Sequence, residues 1–150
     1  MPKKSLRSHC PVNFALEAFG DMWSLLILRD IIFWGKHSFK EFQESKEGIA
    51  TNILANRLSK LVSSGILVKS VDAVDSRRSI YNLSKKGLDL IPMLCEMSAW
   101  STIYDDKTTA PKEFVEKIRK NRTAMYTLMH TVVKNGGSFF VGKNSVIENL

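Results

Sequence analysis

Apolar positions recur at helical spacing through most of the first hundred residues, and glycines separate the runs. Asn13 to Phe19 (NFALEAF) is a short amphipathic stretch that Gly20 stops. Met22 to Trp34 (MWSLLILRDIIFW) is apolar on nearly every side, which predicts a buried central helix with Gly35 at its stop. Ser38, with Glu41 three residues on, is a capping box opening SFKEFQES. Gly48 interrupts, ATNILANRLSKLVSSG follows, and Gly65 closes that helix as its C′ residue.

The period then changes. Leu67 to Asp72 and Ser79 to Leu83 are short and rich in β-branched or aromatic residues, with polar AVDSRR between them, which predicts a hairpin with a basic tip. Ser84 caps a further helix over KKGLDLIPMLCEMSAWSTIY, which Pro92 is expected to kink. DDKTTAP (105–111) is a loop signal. Beyond it Pro111 suits a first helical position, and Phe114, Ile118, Met125, Leu128, Met129 and Val132 fall at roughly helical intervals over PKEFVEKIRKNRTAMYTLMHTVVKN. Gly136-Gly137 then turn into SFFVG, a short apolar strand or tail. The expected organisation is a winged module over 1–106 and a helical, dimer-associated extension over 107–150. The expected fold class is α+β, mostly helical.

Charge sharpens this picture. The 150 residues hold 22 Lys and Arg against 15 Asp and Glu, a net of +7 that suits a polyanionic partner. Residues 1–106 carry a net of +2, residues 107–150 a net of +5. The longest run free of Asp, Glu, Lys and Arg is Thr123 to Val133, too short for a membrane helix. The basic start MPKKSLRSHC leads into a stretch broken by Asn13 and Glu17, so no signal-peptide core is expected. Two cysteines in a chain of this length predict no disulfide framework and a cytoplasmic home. His9, His37 and His130 are scattered, so no metal or cofactor is expected, and no nucleophile elbow or phosphate loop predicts an enzyme.

The pair SFKEFQES and ATNILANRLSKLVSSG has the form of a helix-turn-helix. Along its second helix Leu54, Leu58 and Leu61 form one narrow stripe. The opposite face carries Asn52, Asn56, Ser59 and Ser63, with Lys60 at its edge and no acidic residue. Asn pairs in bidentate fashion with adenine, so this face suits a major groove. A solvated face of an ordinary amphipathic helix is the alternative. The hairpin favours DNA, because Arg77 and Arg78 at its tip suit phosphates or a minor groove. The expected roles are base reading by Asn52 and Asn56, phosphate contact by Thr51, Arg57, Lys60 and Lys36, and wing contact by Arg77 and Arg78, with Ser38 also on the DNA side. Two-fold symmetry then implies a pseudo-palindromic operator of double-stranded DNA with half-sites about 34 Å apart or a multiple of that. The rival from another class is a winged-helix protein-interaction module without DNA binding.

Cys10 to Asp105 resembles the HxlR family of bacterial winged helix-turn-helix regulators. The matching pieces are CPV (10–12), FGDMWSLLILRDI (19–31), SFKEFQ (38–43), GIATNILANRLSKLVSSGILVKS (48–70), RSIYNLSKKG (78–87) and Trp100. The family usually shows Gly-Gly-Lys-Trp where this chain has Gly20, Asp21, Met22 and Trp23, and it commonly has prolines at the wing tip where this chain has Asp75 and Ser76. It usually ends soon after the tryptophan helix, so residues 107–150 receive no guidance from it. The resemblance implies a homodimeric transcriptional regulator with no zinc site. It also marks Cys10 as a candidate redox or electrophile sensor, since some members use a cysteine at this position.

For Cys10, a helix beginning just beyond and the nearby Arg7 and His9 favour a lowered thiol pKa; a small packed residue is the bland alternative. Cys95, among Leu94, Met97 and Trp100, reads as a buried or interface residue. The expected dimer contacts are the helix from Asn13, the helix ending at Trp100, and the C-terminal helix. KIRKNR (117–122) is either a second phosphate-binding surface or, preferably, the solvated face of an interfacial helix. Should Cys10 prove silent, the expected signal is a small-molecule effector held between the module and the extension.

Overall fold

Helix α1 (Pro11–Phe19) begins two residues earlier than its apolar pattern marks, because Pro11 takes the first turn and Cys10 the N-cap. The computed structural model describes residues 5–149, so residues 1–4 of the basic start and Leu150 lie outside the described part. Helix α2 (Met22–Trp34) is capped by Asp21, which accepts from the Ser24 backbone N–H at 2.9 Å. Ile27, Leu28, Ile31 and Ile32 make it the buried centre of the molecule.

Helix α3 (Phe39–Gln43) starts at the expected capping box, Ser38 and Glu41 bonding each other's backbone N–H. Gly48, at φ 70, turns the chain toward helix α4 (Thr51–Ser63). The leucine stripe is buried as expected: Leu54, Leu58 and Leu61 are 0%, 1% and 0% exposed. Strands β1 (Leu67–Val71) and β2 (Ser79–Leu83) pair antiparallel, with Leu67 opposite Leu83 and Val71 opposite Ser79. The Tyr81 N–H donates to the His37 carbonyl at 2.8 Å, so the middle of the ribbon is tied to the start of α3.

The expected single helix after Ser84 is two. Helix α5 (Lys85–Leu88) is capped by Ser84 and backs so closely onto the hairpin that a Cβ on Gly87 would stand 2.4 Å from the Ile66 carbonyl oxygen. Helix α6 (Ile91–Tyr104) starts afresh, with Pro92 in its first turn where a missing N–H loses nothing. Pro92 therefore begins a helix rather than kinking one.

The C-terminal helix is also two, α7 (Lys112–Lys120) and α8 (Arg122–Lys134), with Pro111 as N-cap of the first. Asn121 divides them: its extended backbone ends α7, and its side chain caps α8 through the Ala124 N–H at 3.1 Å. The apolar stretch after Gly137 forms no strand. Phe139 and Phe140 instead donate their N–H groups to the Ile32 and Phe33 carbonyls at 3.0 Å, satisfying acceptors at the end of α2. The Phe139 ring is buried against Phe33 and Phe114, with centroids 5.7 and 4.3 Å away. Residues of 1–106 and of 107–150 thus share one buried cluster. Arg122 Nε (2.7 Å) and the Tyr126 hydroxyl both donate to Glu96 Oε1, fastening α8 to α6.

Candidate nucleic-acid interface

The buried leucines fix the roll of α4 and so decide what it presents outward. Asn52, Asn56, Ser59 and Ser63 are all exposed, as the spacing predicts, and Thr51, the first residue of the helix, is exposed as well. No carboxylate lies on α4 itself. Its N-cap is Ala50, with no side-chain cap, so the first N–H groups of α4 remain open to an anion such as a phosphate.

The cations around this face stand in ion pairs. Arg57 donates through Nε to Asp21 Oδ1 at 2.8 Å and through Nη1 to Asn56 Oδ1 at 2.6 Å. Lys60 Nζ lies 3.8 Å from the other Asp21 oxygen. Partial burial pushes the Asp21 carboxyl up, but bonds from Ser24 and then Arg57 outweigh it and hold the group below its ordinary value. The sequence pattern showed an acid-free helix face; it did not show that the start of α2 lays a carboxylate beside it. The hint lay at position 21, where the resembled family usually has glycine.

Lys36 is also engaged: its Nζ donates to Ser45 Oγ at 2.6 Å and lies 3.8 Å from Asp30. Ser38 is buried, and its hydroxyl belongs to the capping box rather than to an open surface. At the wing the two arginines differ. Arg77, with its side chain 90% exposed, reaches only back to Asp75 of its own turn, at 3.1 Å. Arg78 Nη2 donates to Ser38 Oγ at 3.0 Å and lies 3.6 Å from Glu41, while its Nε lies 3.7 Å from Asp72. Arg78 therefore fastens the far end of the ribbon to the cap of α3. The ribbon follows directly on α4, with Arg77 as an exposed cation in its turn.

Cys10 is exposed at the N-cap of α1, where the Asn13 and then the Val12 backbone N–H groups lower its thiol pKa. Cys95 is buried, with its sulfur 3.2 Å from that of Met129, and burial pushes its thiol up to about 12. Val12 and Leu16 on α1, and Trp100, Ile103 and Tyr104 on α6, are exposed apolar residues, Trp100 at 64% and Tyr104 at 70%. Among the described residues no group of His, Cys, Asp or Glu is arranged for a metal, and no helix is long and apolar enough to cross a membrane.

This geometry can be set beside known proteins. The crystal structure of PA1607 superposes with a TM-score of 0.62 at 38% identity, covering 70% of this chain and 72% of that one. The redox regulator HypR in its oxidised form superposes with a TM-score of 0.58 at 28% identity, covering 65% of this chain and 99% of HypR. Reduced YodB, a transcriptional regulator from B. subtilis, gives 0.53 at 28% identity, covering 67% of this chain and 99% of YodB. The uncharacterized HTH-type transcriptional regulator Mb3122 of Mycobacterium bovis is 32% identical over 100 residues, 67% of this chain and 62% of Mb3122. The match thus spans less than two thirds of that relative's length. The HxlR-like helix-turn-helix family matches residues 18–109. That stretch holds α2, the helix-turn-helix, the ribbon and α6, so the chain belongs to the HxlR-like family of winged helix-turn-helix transcriptional regulators.

Proposed function

We propose that the chain is a sequence-specific DNA-binding regulator that acts in the cytoplasm as a homodimer on a pseudo-palindromic operator. The observation that carries this is the exposed, acid-free face of α4, with an uncapped N-terminus at one end and a basic ribbon following directly on the other. Asn52 and Asn56 read bases, Thr51 and the first N–H groups of α4 take a phosphate, and Arg77 works from the wing. Arg57, Lys60, Lys36 and Arg78 reach phosphate by exchanging a carboxylate or hydroxyl partner for it. Residues 1–106 form the DNA-binding unit. The dimer joins the exposed apolar residues of α1 and α6, among them the Trp100–Tyr104 ring pair, and the extension adds to it.

Cys10 is the proposed redox sensor. It is exposed, carries a lowered pKa, and sits on a helix at the proposed dimer seam, and the similar protein HypR is a redox regulator. A modification there tilts one protomer against the other, and DNA selects between the two spacings.

The test is selection of bound sequences from a random duplex pool at stated salt, followed by titration of the selected duplex. The expected result is a two-fold motif whose affinity falls steeply with salt. Equal binding to every duplex, or none at low salt, removes the proposal. Diamide is expected to change operator binding by wild type but not by Cys10→Ser; a response that survives the substitution rules out Cys10.

A further inference from the structure

We propose that the cleft between α2, α6 and the extension is a binding site for an uncharged, ring-bearing small molecule with a hydrogen-bond donor, and that its occupancy is coupled to the helix-turn-helix. The cleft measures about 680 Å³, inside the roughly 300–1,000 Å³ usual for small-molecule sites. Phe33 and Trp34 of α2 form one wall, and Leu94 and Met97 of α6 another. The extension supplies the rest, with Pro111, Phe114 and Phe140, all outside the family's matched stretch. Trp34 and Phe140 lie with centroids 4.8 Å apart and planes 30° from parallel, stacked on each other, so the cleft is bordered by an aromatic pair that a further ring can extend.

Charge and hydrogen bonding define the ligand further. Three cations (Arg29, Lys36, Lys46) and three carboxylates (Asp30, Glu44, Glu47) line the polar end, so neither an anion nor a cation gains from their sum. Arg29 is already held by Glu47 Oε2 at 2.9 Å and Asp30 Oδ1 at 2.7 Å. The Ser98 and Ser101 hydroxyls donate to carbonyls one turn back, at 3.1 and 2.9 Å, and so present their lone pairs as acceptors. A phenolic O–H or aryl N–H on the ligand satisfies them.

The cleft also reaches the DNA-binding motif. Glu44, Ser45, Lys46 and Glu47 line it and lie in the segment between α3 and α4. Buried Asp30 accepts from Ser45, and Arg29 joins Asp30 to Glu47, whose carboxyl this bond holds down to about 2. A ligand pressing on Arg29 therefore acts on the turn that aims α4. On α6, Leu94, Ser98 and Ser101 share a face turned from that of Trp100 and Ile103, so a dimer seam on the latter leaves the cleft open.

The probe is N-phenyl-1-naphthylamine, neutral and bearing an aryl N–H, titrated into the full chain and followed by fluorescence. Saturable binding is expected, weakened about tenfold or more by Ser101→Phe and by Ala110→Phe, which fill the cleft from two walls, and changed less than about twofold by Trp100→Ala. The same ring system carrying a sulfonate, 1-anilinonaphthalene-8-sulfonate, is expected to bind about tenfold more weakly. In wild type with methyl-labelled methionine, the Met97 signal is expected to move on adding the neutral probe and the Met22 signal to stay. An unmoved Met97 signal, equal affinity in the filled variants, loss in Trp100→Ala alone, or equal binding of the sulfonate overturns the site. The coupling rests on the DNA-binding proposal. A selected duplex is expected to change probe affinity by the factor by which the probe changes duplex affinity. A chain that binds probe but no duplex refutes DNA binding and leaves the site standing. A chain that binds both without mutual effect refutes the coupling.

Discussion

Asp21 performs two jobs that substitution can separate. It caps α2 through the Ser24 N–H, and it neutralises Arg57 and Lys60 beside the outward face of α4. Asp21→Asn keeps an acceptor at the N-cap but removes the charge, whereas Asp21→Ala removes both. The side chains of the Arg57 pair are 30% and 27% exposed, so solvent screens it and its loss costs about 0.5–1 kcal/mol. The cap adds about 1 kcal/mol. For a chain of this size the Asn variant should melt about 1–4 °C below wild type and the Ala variant about 3–8 °C below.

DNA affinity should move the other way. With Asp21 neutral, Arg57 and Lys60 meet phosphate without first leaving a carboxylate, and the salt slope of binding should steepen by about 1–2. Acid supplies an internal control. The folded carboxyl titrates below its ordinary value, so its stabilisation is present above the unfolded value and lost as pH falls through the folded one. The melting gap between wild type and Asp21→Asn should therefore be constant near neutrality and close in acid, where wild type also becomes neutral. Melting curves across pH and anisotropy titrations across salt measure both effects. A gap that persists in strong acid, or an Asn variant with an unsteepened salt slope, refutes the reasoning.

Phe139→Ala should cost about 3–5 kcal/mol in a denaturant melt, because the ring is fully buried among Phe33, Phe114 and Phe140; a near-neutral result would mean that the tail leaves α2 readily. In native protein at neutral pH, Ellman's reagent should modify Cys10 rapidly and Cys95 only on unfolding, given one exposed thiol with a lowered pKa and one buried thiol at about 12; two fast thiols contradict this. Gly87→Ala should destabilise markedly in thermal melts, since its Cβ meets the Ile66 carbonyl oxygen at 2.4 Å and Leu83 Cδ2 at 2.8 Å; an unchanged melting temperature would show that α5 shifts freely against the hairpin.

Local rules in the sequence reach as far as the neighbours they involve. The capping box at Ser38, the stop at Gly65 and the roll of α4 each depend on residues within a few positions, and each stands in the structure as spaced. Pro92 and Asn121 lie beyond such rules, because an apolar period runs unbroken past both while the backbone there restarts a helix. A period reports a face and says little about continuity. The SFFVG stretch has strand composition but no strand to pair with, and its N–H groups find carbonyls at the end of α2, more than a hundred residues earlier. The partners of Arg57 and Arg78 were equally out of reach. Asp21 lies 36 positions from Arg57, and Ser38 lies 40 from Arg78, so only the folded arrangement joins them.

Those pairings change how the basic charge can work. A net of +7 suggests loose cations waiting for phosphate, yet Arg57, Lys60, Arg77 and Arg78 each face a carboxylate. Binding a phosphate there is an exchange, with repulsion between the displaced carboxylate and the DNA set against the new contact. On the DNA-binding proposal, non-specific affinity through these four residues should be weak, leaving more of the discrimination to the uncharged face of Asn52, Asn56 and Ser59. The larger share of net charge, +5, lies in residues 107–150. On the same proposal it acts at a distance, raising the encounter rate with DNA, and is screened beyond about 10 Å at 0.1 M salt. Attraction and reading, so proposed, reside in different parts of the chain, and the cleft is lined by residues of both the extension and the turn before α4.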